Sequence, residues 1–559
     1  MNEFFKSKDT IMQLPQMESI KKQIVYNFPF IIIFILFLGS RLLMLQNVIL
    51  LEDHDSVSYL ITIEVFITYS LKSIYNLDPD SSIFYPFLGA IFSLPGWSVE
   101  TGARLATVFS QCVLFIAILG IGLRLGSRAG TMVGLILFTL SPAFIELGVS
   151  VLTEPTYVAL VYLGIFILFA HLYDPKLWKI AAAGSLFGLA FLTRVEGLVF
   201  IAVIPFILGV HYIWKRPHQI SIREYAKWGL VFIAVFSIFA IPQIYRVSDQ
   251  MDTLALNGRQ AWTLLLHSHE GETSAEILYS LDYSKEQVNI AYVKQNMREF
   301  LHLDTGGSQN YLREYAQTFI INYFDLEKNR LPAFFGSIIL VFFAFGLFKL
   351  YRDNYRFELL MILLLLTVFL VPPMLHNVVI RHILIIGPFV LLIAGYGIAY
   401  VSQSLLENRK KIRGLDYIIP GIFIIASLAP LSLQLKNVYN PPKVNHEYSI
   451  EQLQEPLEVI RQITETEFEH RPKIAARKIY LPYYAQSDVE VVPFADYDNL
   501  IYYLNVNNVD FVYLHHYLLR HFPFMEKFRY GDISDDFTLL YQGEDVRTGE
   551  KIELYRFFR

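Results

Sequence analysis

Apolar runs of about 20 residues, the length that crosses the hydrocarbon core of a bilayer, recur along this chain between short polar stretches. They fall at 28–50, 104–124, 130–149, 154–172, 178–193, 197–214, 228–245, 332–350, 357–373, 380–401 and 416–434. This pattern predicts an α-helical polytopic membrane protein with about eleven transmembrane helices. Beyond the last run the periodicity changes. Short alternating segments at 473–481, 489–493, 510–514, 537–541 and 551–557 read as strands. The segment 456–464 sets Leu457, Ile460 and Ile463 on one helical face, and 499–504 also reads as a helix. The predicted organisation is a cytoplasmic segment 1–27, a transmembrane domain 28–434 with outer loops 51–103 and 246–331, and a small extracytoplasmic α/β domain 435–559.

Positive charge orients the runs. Lys6, Lys8, Lys21 and Lys22 precede the first, Arg124 and Arg128 follow the second, and Lys176 and Lys179 follow the fourth. Lys215, Arg216, Arg223 and Lys227, then Lys349, Arg352 and Arg356, then Arg409, Lys410, Lys411 and Arg413 continue the alternation. The expected placement is a multi-pass membrane protein with its N-terminus inside and its C-terminal domain outside. Composition agrees: 54% of residues are hydrophobic and 17% are charged, against about 25% charged in soluble domains. A net charge of −5 argues against a nucleic-acid partner. The single cysteine, Cys112, lies in an apolar run and reads as packing. Residues 1–27 are polar and the first apolar run is too long for a signal h-region, so no cleavable signal is expected. No internal repeat is evident, which weakens an inverted-repeat transporter.

The candidate chemistry clusters at the outer ends of the runs. LLEDHDSVSY, 50–59, sets Asp53 and Asp55 just beyond the first run, where carboxylates are costly to hold near lipid. Arg194 and Arg381 are the cations of the short outer loops, and a guanidinium suits phosphate through its planar fork. Around them stand YPFL (85–88), LPG (94–96), GARL (102–105), LGSRAG (125–130), LSPAFIE (140–146), LTEP (152–155), LTRVEG (192–197) and RHILIIGP (381–388). In order and spacing these motifs resemble the GT-C superfamily of membrane glycosyltransferases, in the branch of the protein O-mannosyltransferases and lipid A aminoarabinose transferases. The resemblance covers roughly 28–435 and is densest over 50–200; the tail stretch KIAARKIYLPYYAQ is similar to the extracytoplasmic domains of bacterial members.

The resemblance implies an inverting transfer of a monosaccharide from a polyprenyl-phosphate sugar to an acceptor hydroxyl on protein, lipid or glycan. Such chemistry needs a base for the hydroxyl and positive charge for the leaving phosphate. The family's aspartate stands four residues before an aromatic one, which aligns the base with Asp55 and the aromatic with Tyr59. Ser56 stands where many relatives carry Glu, so Asp53 supplies the second carboxylate or the register slips by two; a plain acidic loop is the alternative. Arg381, Arg194, Arg41 and His382 are the expected donor-phosphate ligands, with His382 in place of the family's usual Tyr. For Arg194 the competing reading is an ion pair with Glu196, and for Arg41 it is snorkelling to the interface. Glu154 and Glu146 are expected substrate contacts, although an acidic residue beside Pro155 also suits a helix N-terminus. Tyr85 faces the sugar or packs as a turn on the membrane surface. No cofactor is fixed; Asp53, His54, Asp55 and Glu154 suggest a divalent cation, and His267, His269 and Glu270 look like ligands without further support. Tyr483 and Tyr484 are tail aromatics that could meet an acceptor glycan. The rival readings are a transporter or flippase of lipid-linked saccharide and a non-catalytic membrane scaffold.

Overall fold

The computed structural model describes residues 14–47, 54–69, 77, 81–215, 220–250, 254–255, 319–375, 380–407, 415–432, 434, 450–530, 533, 535–545 and 549–558. The first helices are α1 (Leu14–Asn47), α2 (His54–Thr68), α3 (Phe84–Ser93), α4 (Val99–Arg124), α5 (Arg128–Leu140), α6 (Pro142–Glu146), α7 (Glu154–Tyr173), α8 (Leu177–Thr193), α9 (Phe200–Lys215) and α10 (Ile222–Gln250). Further long helices are Ser337–Arg352, Arg356–Leu375, Gly387–Glu407 and Leu415–Leu428. Each predicted apolar run therefore overlaps described helix. Six of the described helices are long and apolar enough to cross a membrane, or up to seven if a pair bent by 101° counts as one span. That bend falls at Gly336, whose φ of 78° is left-handed backbone.

Local chemistry sets the boundaries. Ser98 caps α4 by accepting from the Thr101 amide, Glu100 lies in the first turn and Arg124 in the last, which matches the helix dipole at both ends. Ser127 caps α5, and Pro142 ends it two residues past Leu140, so the run read as 130–149 is broken. Glycines let helices close on one another. A Cβ on Gly395 would strike the backbone of Gly130 and Gly134, which is how Gly387–Glu407 seats against α5.

Two features depart from the sequence expectation. Part of the outer loop 51–103 is helical, as α2 and α3, and Tyr85 lies on α3 rather than in a turn. Both helices bury an apolar face: Val57, Leu60, Ile63, Tyr85 and Ala90 join one core cluster. The expected strand 473–481 stops at Ala476, and Tyr480–Tyr484 is a helix. The reason is topological. β1 (Lys473–Ala476) pairs parallel with β2 (Asp488–Val491), so the intervening residues must cross over the sheet.

The sheet has the order β2-β1-β3-β5-β4, completed by β3 (Phe511–His515), β4 (Phe537–Glu544) and β5 (Lys551–Phe557). β3 is parallel to β1 and antiparallel to β5, with Val512 opposite Tyr555. Alternation along β3 separates two cores. Val512 and Leu514 face Leu500, Tyr503 and Phe528. Phe511 and Tyr513 join Tyr480, Leu481 and Leu453 in the cluster that also holds Val57, Ala103 and Val151. One face of the sheet thus shares its core with α2, α3, the first part of α4 and Val151.

Candidate active site

Four distant segments meet at helix ends. The first turn of α2 carries Asp55, the first turn of α7 carries Glu154, the end of α8 leads into Arg194 and Glu196, and the short helix Ile380–Ile383 carries Arg381. Their charges alternate. Arg381 Nη2 donates to Asp55 Oδ2 at 3.3 Å, and its Nε lies 3.5 Å from Glu154 Oε1. The same Glu154 oxygen lies 2.6 Å from Arg194 Nη1, while Arg194 Nη2 reaches Glu196 Oε1 at 2.9 Å. Glu154 is the most enclosed member, with 5% of its side chain exposed; Asp55 and Arg381 each keep 21%. Burial alone would lower the Arg194 pKa, but Glu154 and Glu196 hold it well above its ordinary value.

Thr153 ties this chain of charges together. Its hydroxyl accepts from Arg194 Nη1 at 3.4 Å and donates to Glu154 Oε2 at 3.4 Å. Tyr59 OH lies 3.5 Å from the same hydroxyl. The Tyr59 phenol is held above its ordinary pKa by burial and then by Asp55 and Glu154, so it stays protonated and can donate. Tyr85 stacks its ring edge-on to Tyr59 at 5.7 Å and anchors its own hydroxyl on the Ala103 carbonyl.

Of the expected site residues, Asp55, Tyr59, Glu154, Arg194 and Arg381 therefore come together, with Tyr85 behind Tyr59. The ion pair of Arg194 with Glu196 is present, and Glu154 joins it. Arg41 belongs to a different set of contacts. It is fully buried, lies 4.1 Å from the Phe37 ring, and donates to the carbonyls of Phe138, Thr139 and Phe144. It closes the carbonyl end of α5 where the span breaks. Glu146 is exposed at the end of α6. Asp53, the side chains of His54 and His382, and His267, His269 and Glu270 lie outside the described residues. Thr153 was missed; its signal was present in LTEP, one residue before the glutamate.

Among the described residues no group of three or more His, Cys, Asp or Glu side chains is arranged to hold a metal ion. The carboxylates of Asp55 and Glu154 face guanidiniums, and Asp53 and the side chain of His54, the other members of the candidate cation set, lie outside the described residues.

No family model and no curated protein sequence matches the chain. Solved structures do. ArnT from Cupriavidus metallidurans in the apo state superposes with a TM-score of 0.58 at 13% identity, covering 96% of this chain and 98% of that one. The same protein bound to undecaprenyl phosphate gives 0.51 at 13% identity, with 95% and 97% covered. The archaeal oligosaccharyltransferase AglB from Archaeoglobus fulgidus, in complex with an inhibitory peptide and a dolichol-phosphate, gives 0.55 at 11% identity, covering 88% of this chain and 69% of that one.

The chain has the GT-C fold. At these identities the likeness is one of fold, and the GT-C architecture here comprises the multi-pass helical membrane part and the small C-terminal sheet. Within this GT-C chain the alternating carboxylates and guanidiniums occupy helix ends and connecting turns, the parts of a rigid scaffold that most often carry chemistry.

Proposed function

We propose that this protein is an inverting glycosyltransferase. It moves a monosaccharide from a polyprenyl-phosphate donor to an acceptor hydroxyl at the outer face of the cytoplasmic membrane. One observation carries the reading: a partly exposed carboxylate, Asp55, lies 3.3 Å from a partly exposed guanidinium, Arg381, on segments 326 residues apart. A base and an anion-stabilising group side by side are what the reaction requires. The ArnT and AglB structures hold undecaprenyl phosphate and dolichol-phosphate, which supports a lipid-linked donor. The alternation of Lys and Arg along the loops supports the outward orientation.

In this mechanism Asp55 accepts the proton of the acceptor hydroxyl. The acceptor oxygen bonds to the anomeric carbon from the face opposite the phosphate. The bond from that carbon to the phosphate oxygen breaks, its electron pair stays on the phosphate, and polyprenyl phosphate leaves. Arg381 stabilises the charge gathering there, with Arg194 beside it and Glu154 orienting both. The donor phosphate and Asp55 compete for Arg381, so donor arrival releases the base. Arg41, engaged by carbonyls, takes no part. Acceptors of protein, lipid or glycan class all supply a hydroxyl.

The test is transfer in membranes given a panel of radiolabelled polyprenyl-phosphate sugars. Wild type should move label from one donor to an acceptor, and Asp55→Asn at equal abundance should not. Transport of label across the membrane without transfer would overturn the reading in favour of a flippase.

A further inference from the structure

The helix Tyr480–Tyr484 projects from the sheet onto α2, which carries Asp55, and onto the first turn of α4. Tyr483 OH donates to Glu64 Oε1 at 3.0 Å, and Glu64 lies on α2 two turns and more beyond Asp55. Tyr484 OH donates to Glu100 Oε2 at 3.4 Å, in the first turn of α4. The other Glu100 oxygen accepts from Arg104 Nε at 3.0 Å and from Nη2 at 2.8 Å. Arg104, 4% exposed, then donates through Nη1 to the Val149 carbonyl at 3.0 Å. Next to it Thr107 donates to the Ser150 carbonyl at 2.7 Å. Residues 149–153 lead without a break into Glu154. The apolar contacts run the same way, because Tyr480 and Leu481 share a core with Val57 and Leu60 of α2 and with Val151.

We infer that Tyr483 and Tyr484 are positioning residues for the transfer site. Tyr483 holds α2, and with it Asp55, through Glu64. Tyr484 holds segment 149–153, and with it Glu154, through Glu100 and Arg104. The C-terminal domain thereby sets the spacing between the base and the carboxylate that orients both arginines. The inference rests on the function proposed above for its catalytic consequence, but not for its structural one. Charged acceptors make these two bonds stronger than neutral ones. Burial followed by the neighbouring glutamates raises the pKa of both phenols, so both remain donors at any physiological pH. The Arg104 link is a better lever than packing alone, since a guanidinium fixes a carboxylate and a carbonyl in one plane.

The experiment is hydrogen exchange by mass spectrometry on the full-length protein in detergent micelles, for wild type, Tyr483→Phe, Tyr484→Phe and Arg104→Lys. Tyr484→Phe and Arg104→Lys should speed exchange in 149–153 and leave 54–68 unchanged. Tyr483→Phe should do the reverse. The double variant Tyr484→Phe/Arg104→Lys should exchange no faster in 149–153 than Arg104→Lys alone. In transfer assays each single variant should lower kcat about tenfold with donor KM unchanged, a fraction of the roughly hundredfold that a 1 Å misplacement can cost. Equal exchange in all variants, or the same pattern from both tyrosines, overturns the inference. If wild type transfers no sugar, the proposed function fails, and the exchange pattern alone decides whether the tyrosines position the two segments.

Discussion

Arg381 and Asp55 face each other at 3.3 Å, with Glu154 on the other side of the guanidinium at 3.5 Å. A carboxylate held this way is oriented but not yet available. Substituting Asp55→Asn should lower kcat by about 10²- to 10⁴-fold, the usual contribution of a general base. Binding of undecaprenyl phosphate, followed by tryptophan fluorescence, should be retained or tightened because a competitor for Arg381 is gone. A Kd weakened in step with kcat would remove Asp55 from the role of base.

Arg381→Lys keeps the charge and loses the planar fork. Donor KM should rise about tenfold, the equivalent of about 1.4 kcal/mol, with a smaller change in acceptor KM. Measuring both constants in one steady-state series checks this. A change confined to acceptor KM would argue that the guanidinium meets no phosphate.

Much of this was legible in the residues, and the limits have physical causes. An apolar run of bilayer length needs no partner to be recognised, so the helices were found. Asp55, Glu154 and Arg381 stood out because a charge at the end of such a run is costly. What escaped depended on contacts between distant segments. Val57, Leu60 and Ile63 look like loop residues until Tyr480 and Leu481, more than 400 positions on, are brought against them. Arg41 looks like a lone cation in a span, and only the break between α5 and α6 supplies the carbonyls that explain it. Tyr480 and Leu481 resemble a strand continuation, because aromatic residues favour strands and nothing local announces a crossover.

Glu154 joins both arginines while almost wholly enclosed. Removing one partner of a buried ion pair strands the others, at a cost of about 3–5 kcal/mol. Glu154→Ala should therefore fold poorly or lose thermal stability markedly, whereas Glu154→Gln, which keeps an acceptor for Arg194, should be milder. Thermal unfolding in detergent, compared with a surface variant such as Glu465→Ala, checks the ranking.

Gly395→Leu should disrupt the membrane part itself. Its side chain would meet the backbone of Gly130 and Gly134 rather than a movable side chain. Overpacking of this sort typically costs about 1–3 kcal/mol, and rigid backbone on the far side puts this site at the upper end. Lower yield of monodisperse protein and a reduced melting temperature are expected.

In the C-terminal sheet, His516 Nε2 and Glu553 Oε2 lie 2.7 Å apart, and Tyr555 OH donates to the same oxygen. Burial pushes the Glu553 pKa up, but these bonds outweigh it and hold the group below its ordinary 4.5. A depressed folded-state value stabilises the fold above 4.5, and the contribution is lost as pH falls through the folded pKa. Unfolding of wild type should steepen below pH 4.5, and Glu553→Gln should flatten that dependence.

The core shared by the sheet and α2 also bears on how the molecule comes apart. Phe511, Ile552 and Tyr480 belong to the same apolar cluster as Val57 and Ala103. Pulling the sheet away would expose that whole face to water, so sheet and α2 should melt as one cooperative block. A fragment containing the sheet alone would carry a bare oily flank, and it should clump unless α2 through α4 travel with it.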